Sequence, residues 1–223
     1  MCSAGYIASR TRLAKEVSEF FATVEEMAEI PRRTIRPTNE SPFVRIEADG
    51  FRHMRYLHWG LIPYWAKERK FGHATFNARA ETVAEKPTFR EPFRERRGIL
   101  PWVSYVEWRE EDGKNIPYQF SMKSGEPLAF AGLWDTWSAD GSSLESCTMV
   151  TTVPNELAAA YQDRMPVILQ PEDFDLWLDP ASDAKNLIAL LTPLPADLMI
   201  VEPADPEDFR RRKPAEPQTS SLF

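Results

Sequence analysis

The chain has 223 residues, 43% hydrophobic and 27% charged, with a net charge of −7. This is an ordinary soluble composition, large enough to hide roughly 70% of its unfolded surface without a disulfide or metal staple, and its acidity argues against a general nucleic-acid coat, whose affinity comes from phosphate contacts. It has no apolar run of membrane-spanning length, no apolar stretch near the N-terminus like that of a secretory signal, and two widely separated cysteines, a pattern that places it in a reducing cytoplasm.

Cys2 comes first in chain order. Removal of Met1 leaves this position with a free α-amine, of pKa about 7.7–8.0, beside a thiol. Such a pair condenses with an aldehyde to an imine, and the sulfur then closes a thiazolidine ring. No internal cysteine can do this, although cysteine also occurs at position 2 by chance. Leu13, Val17, Phe20, Phe21 and Val24 recur at helical spacing among Lys15, Glu16 and Glu19, which predicts an amphipathic helix over 11–28. Residues 43–47 and 52–59 predict a hairpin around Asp49-Gly50. Residues 98–108 read as one apolar-aromatic strand, and 118–122 with 128–134 as a second hairpin around Ser124-Gly125. A strand follows over 147–152, with Cys147 as a buried core thiol. Then come a short helix over 155–161 opened by Pro154, a strand over 165–169, and short helices over 174–178 and 184–191.

Nineteen prolines against nine glycines keep these elements short and the loops stiff. Strands dominate the middle, helices decorate the ends, and there is no βαβ alternation. The fold class is α+β, a single domain of mainly antiparallel β-sheets in a barrel-like core with peripheral helices. The domain takes residues 1–200, and 201–223 form a Pro- and charge-rich tail.

Four segments hold polar or aromatic side chains where a core alone explains them poorly. Asn77, Arg79 and Glu81 share one parity, so an extended segment points all three the same way, as the lining of a pocket or as a solvated strand face. Glu107 lies between aromatics in an apolar strand, where burial raises a carboxyl pKa and suits a general acid, or where an arginine partners it. Tyr161, Gln162, Asp163 and Arg164 fall on a loop between a helix and a strand. Residues 59–65 stop a strand at Gly60 and Pro63 and put Trp59, Tyr64 and Trp65 on a turn, either for stacking on bases or as core. Basic clusters at Arg32, Arg33 and Arg36, at Arg90, Arg94, Arg96 and Arg97, and at Arg210, Arg211, Arg212 and Lys213 read as solvated faces or as local phosphate contacts. No Cys/His pair has zinc-ligand spacing, so neither metal nor cofactor is expected.

In order and spacing these motifs resemble the SRAP family, the SOS response-associated peptidases or abasic-site processing proteins. The motifs that carry the resemblance are Cys2, Pro-Arg-Arg-Thr-Ile-Arg-Pro-Thr at 31–38, Trp-Gly-Leu-Ile-Pro at 59–63 and Asn-Ala-Arg-Ala-Glu-Thr at 77–82. Glu107-Trp108 with Pro101 at the head of their strand, Ala-Gly-Leu-Trp at 131–134 and Asp-Arg-Met-Pro-Val-Ile-Leu at 163–169 complete the set. The resemblance implies covalent capture of abasic sites in single-stranded DNA, a DNA-damage function, with Cys2 as nucleophile. It implies that Asn77 orients the amine and the sugar, that Glu107 is the acid/base of ring opening, that Arg79 and Arg164 bind flanking phosphates, and that Trp65 stacks or wedges. It also implies autoprocessing peptidase and lyase chemistry by a monomer. The sequence departs from the family pattern at Gln162, where the family carries histidine: an amide hydrogen-bonds but cannot shuttle a proton. The opening Cys2-Ser3-Ala4-Gly5-Tyr6 is one residue longer than usual and lacks an arginine, Thr34 and Arg36 replace Asn and Ala, and the closing pattern after Ile200 is missing. Two other readings therefore stand beside capture: a catalytically degenerate paralogue that binds DNA or a protein, and an N-terminal cysteine hydrolase.

Overall fold

A computed structural model of the chain describes residues 4–7, 33–139 and 141–209. Cys2, the helix expected over 11–28, Pro31 and Arg32 of the first motif, and residues 210–223 of the tail lie outside the described residues.

The described chain forms twelve strands: β1 Ala4–Ile7, β2 Arg33–Ile35, β3 Glu40–Ile46, β4 Arg52–Trp59, β5 Asn77–Arg79, β6 Arg97–Trp102, β7 Ser104–Glu111, β8 Lys114–Met122, β9 Leu128–Ala139, β10 Ser142–Thr152, β11 Met165–Pro166 and β12 Met199–Pro203. Three short α-helices lie among them: α1 Arg90–Glu95, α2 Phe174–Leu178 and α3 Ala184–Ala189. Strands β3, β4, β10, β9 and β6 close into a barrel, sealed by the pairing of Val44 with Ile99. The remaining sheet runs β12-β8-β7-β1-β2, antiparallel throughout.

Both faces of the barrel strands are buried, so each strand divides its side chains between two cores. Phe43, Leu100, Phe130 and Cys147 join Trp59, Trp102 and Tyr105 in one cluster shared with the second sheet. Val44, Ile99 and Ala131, which adjoin Phe43, Leu100 and Phe130, and Val150 of β10 face the helices, packing with Phe93, Phe174 and Trp177. Arg97 is 4% exposed. Its guanidinium donates to the carbonyls of Phe93 and Arg94 in the last turn of α1 and to those of Trp177 and Asp179 at the end of α2. One cation thus caps the negative ends of two helices.

The hairpin around Asp49-Gly50 is present, with Val44 opposite Met54. The single strand expected over 98–108 is two strands, because the chain changes sheets at Val103, whose N–H donates to the Tyr6 carbonyl (2.9 Å). Gly5 makes this corner possible: a Cβ there would lie 2.4 Å from Trp102 and 2.6 Å from the Ser104 carbonyl. The hairpin expected around Ser124-Gly125 does not form, since β8 pairs with β7 and β12 while β9 pairs with β6 and β10. The turn that does close a hairpin is Asp112-Gly113, with φ of 49° and 73°, joining β7 to β8.

Other elements are shorter than expected. The helix over 155–161 reduces to a 3-10 turn at Ala158–Ala160, the strand over 165–169 to β11 plus a bridge from Ile168 to Phe130, and the helix over 184–191 to α3. Residues 201–209, assigned above to the tail, are integral to the fold, because Val201 pairs with Phe120 and Phe209 is buried.

Candidate functional site

Strand β10 organises the polar segments. Its Met149, Val150 and Thr151 pair in parallel with Asn77, Ala78 and Arg79 of β5, and its Thr151 and Thr152 pair with Pro166 and Met165 of β11. The family-like segments at 77–82 and 163–169 therefore meet at one end of the barrel. Asn77 is half-buried and Arg79 exposed. Glu81 does not share their strand face, because the chain coils into a 3-10 turn at Ala80–Thr82. From that turn its carboxylate accepts two bonds from Arg164, Nη1 to Oε1 at 2.6 Å and Nη2 to Oε2 at 2.9 Å, and Arg164 Nη2 also donates to the Thr151 carbonyl (2.6 Å). The Arg164 bonds hold the Glu81 carboxyl below the usual carboxylate range. Arg164 thus staples the loop to β5 and β10, while Arg79 keeps its charge in solvent.

Glu107 occupies the middle of β7 and is 3% exposed. Burial, reinforced by the nearby Asp163 carboxylate, pushes its carboxyl up to about 7. Its cross-strand neighbour is Tyr118, whose ring lies 4.8 Å from that of Tyr161. Tyr161 also meets Phe120 edge-on at 5.2 Å, and the Arg109 guanidinium lies 5.4 Å from its centroid. These contacts seat residues 161–163 over the β7–β8 pair. Gln162, half-buried, is held through its backbone N–H to the Ala158 carbonyl (3.0 Å).

Cys2 lies outside the described residues, but its tether is described. Ala4 of β1 stands opposite Val106, one residue from Glu107. Cys2 is two positions before Ala4, with Ser3 between them, a span of at most about 7 Å.

The turn at 59–65 splits between the two roles considered for it. Trp59 is core, fully buried, with its Nε1 donating to the Phe76 carbonyl (2.8 Å). Trp65 is 45% exposed and meets Phe71 edge-on at 5.4 Å, in a surface groove of about 520 Å³ lined also by Ala66, Lys67, Glu68 and Lys70. Its loop is moored to β9 by Tyr64 N–H to Asp135 Oδ2 (3.1 Å) and by Trp137 Nε1 to the Ala66 carbonyl (2.7 Å). These contacts belong to the aromatic loop and not to the β5–β7–loop cluster.

The histidines serve other places. His53 pairs with Asp49 at the hairpin tip (2.7 Å). Burial, with the charges of Arg69 and His73, lowers the pKa of His58. Cys147 is fully buried, and burial pushes its thiol far up, which makes it inert. Among the described residues no three His, Cys, Asp or Glu side chains gather as a metal site, and no helix is long and apolar enough to cross a membrane.

Sequence reading gave no role to Arg109, and it noted Asp163 only as one position of the 161–164 loop, without its relation to Glu107. The signal for Arg109 was strand parity, since it points to the same side of β7 as Glu107. Nothing local marks Asp163, whose relation to Glu107 is tertiary.

Comparison with known proteins gives the family. The family model described as SOS response associated peptidase (SRAP) matches residues 1–207. The abasic site processing protein YoqW of Bacillus subtilis is 48% identical over 146 residues, 64% of this chain and 65% of that protein. The abasic site processing protein HMCES of Xenopus tropicalis is 29% identical over 160 residues, 59% of this chain and 48% of that protein. The match therefore spans just under two thirds of the bacterial relative and about half of the vertebrate one. A crystal structure of a Bacteroides thetaiotaomicron protein superposes with a TM-score of 0.82 at 27% identity, covering 97% of each chain. A Bordetella bronchiseptica structure gives 0.79 at 28%, covering 92% of this chain and all of the other. On these matches the chain belongs to the SRAP family.

Proposed function

We propose that this chain captures abasic sites in single-stranded DNA through Cys2 once Met1 has been removed. Glu107, protonated in its buried position, gives its proton to the sugar ring oxygen as the C1′–O4′ bond of the hemiacetal breaks, and the anomeric hydroxyl loses its own proton to water, leaving the aldehyde. The neutral Cys2 amine adds to the aldehyde carbon, and loss of water leaves an imine. The thiol adds across that C=N bond: sulfur bonds to carbon and the thiol proton passes to nitrogen, giving a thiazolidine. Asn77 orients amine and sugar, Arg79 holds a flanking phosphate, and Arg164 does so while sharing its charge with Glu81. Trp65 stacks on the strand from its own loop. Gln162 positions groups by hydrogen bonding and transfers no proton.

The observation that supports this best is the placement of a buried carboxyl next to the strand that carries the N-terminus. The names of the relatives, abasic site processing proteins, point the same way. The test is incubation with a single strand bearing one abasic site, after mass spectrometry confirms that Met1 is gone. A heat-stable adduct weighing protein plus DNA minus one water is expected, and Cys2→Ala should give none. Absence of the adduct from the processed native chain overturns the proposal. Gln162 motivates a second reading, binding without chemistry, for which equal affinity for intact and abasic strands and no covalent band would be the signature.

A further inference from the structure

The C-terminal end of the described chain covers one face of the N-terminal strand. Ala4 and Tyr6 of β1 and Val106 of β7 form a small apolar cluster completed by Phe209, with Trp108 and Ala204 packed against it. Phe209 is 7% exposed, its ring 5.3 Å from that of Tyr6 and 5.7 Å from that of Trp108, both edge-on. Polar contacts fix the same turn, Pro206–Phe209. The Tyr6 hydroxyl donates to Asp208 Oδ2 (2.9 Å), Thr34 Oγ1 donates to the Asp208 carbonyl (2.7 Å), and Arg36 Nη2 donates to the Phe209 carbonyl. Thr34 and Arg36 thus hold the C-terminal turn from β2 and the residue that follows it.

Strand β1 is short, pairing with β2 and with β7 through three residue pairs each. Tyr6 is four residues from Cys2, and Trp108 adjoins Glu107. We infer that Phe209 is a positioning residue for capture, clamping β1 against β7 through Tyr6 and Trp108 so that the N-terminal amine and thiol meet the carboxyl of Glu107. This rests on the function proposed above. Reacting groups must sit within about 3–3.5 Å, and a misplacement of about 1 Å can cost on the order of 100-fold in rate, so a clamp remote from the chemistry governs the rate without touching DNA.

The test is Phe209→Ala in the full processed chain, assayed for capture of an abasic single strand across a range of DNA concentrations. The first-order capture constant at saturating DNA should fall about tenfold while the half-saturating DNA concentration stays within about twofold and the final adduct yield is unchanged; loss of a binding contact raises the half-saturating concentration instead, and loss of folded protein lowers the yield. Phe209→Leu should recover most of the rate, and Asp208→Ala, which removes only the bond from Tyr6, should lower it about threefold. Amide exchange at Gly5 and Tyr6 should quicken about tenfold in Phe209→Ala with β10 unchanged. An unaltered maximal rate in Phe209→Ala beside a capturing native chain overturns the clamp. If the native chain itself forms no adduct, the capture reading falls, and amide exchange still decides: acceleration confined to β1 supports the clamp and unchanged exchange overturns it. Should Phe209→Ala fail to fold, the Leu and Asp208→Ala variants carry the same comparison.

Discussion

Replacing Glu107 with Gln keeps the side chain's shape and removes its ionisation. In the folded chain burial pushes this carboxyl up from an ordinary 4.5 to about 7. The folded state therefore holds a proton that the unfolded state releases between those values, and stability falls as pH rises through that window. At 1.36 kcal/mol per pH unit the gap amounts to about 3 kcal/mol, in full force above pH 7. Gln carries no such cost. Urea unfolding of both proteins at several pH values should show the variant gaining on the native chain by about 3 kcal/mol from pH 4.5 to 8, then levelling off. Capture kinetics supply the second reading of the same group. The amine must be neutral, with a pKa of about 7.7–8.0, and the carboxyl protonated, so the native rate should peak near about pH 7.4. In the variant the alkaline limb should vanish and the rate at pH 7 fall about 100-fold. A stability difference flat in pH would refute the buried protonated carboxyl. Native capture rates at every pH would refute its role as an acid.

Gln162→His restores a group that titrates near neutrality and should raise the rate of adduct formation or of its reversal about tenfold, read from gel time courses; no change in either shows that position 162 is not a proton-transfer site here. Arg79→Ala should weaken single-strand binding alike for all sequences and flatten the plot of log affinity against log salt by about one contact's worth, and an unchanged slope removes Arg79 from the phosphate contacts. Arg97→Met leaves the carbonyls of Phe93, Arg94 and Trp177 without their donor, while that of Asp179 keeps the Ser182 N–H, and should cost about 3 kcal/mol in urea unfolding, whereas a loss under about 1 kcal/mol would mean that water takes over its bonds.

The hairpin over 43–59 was legible because Asp49-Gly50 sits between two alternating runs, whereas the same kind of signal at Asp112-Gly113, which joins β7 to β8, went unread. Ser124-Gly125 also marks a turn, and a turn it is, with Gly125 at φ 82°. A local dipeptide cannot say whether the strands it joins pair with each other or leave for different sheets, so the second hairpin was misassigned. The unbroken apolar run over 98–108 hid the sheet change at Val103 for the same reason, since both halves are buried. In the site, the burial of Glu107 followed from its aromatic neighbours. The bond between Arg164 and Glu81 did not, because it spans 83 positions and fixes neither residue's local pattern. Phe209 went unread because a proline- and charge-rich composition looks like a tail even where one aromatic pins it to the core.

The convergence of 77–82 with 163–169 depends on Thr151 more than on either segment. It is 1% exposed, pairs with Arg79 through its backbone, donates from Oγ1 to the Ala78 carbonyl (3.3 Å) and accepts Arg164 Nη2 at its own carbonyl. A closed barrel leaves β10 little freedom to shift, so the spacing between the two arginines is set by the sheet and not by their side-chain torsions. Arg79 then offers its charge outward while Arg164 spends most of its bonding on Glu81. On the function proposed above, a phosphate arriving beside Arg79 would meet one solvated cation and one whose charge is largely answered by Glu81, so of the two Arg79 would carry the larger share of the salt dependence, with Arg164 holding the loop that bears Gln162 and Asp163.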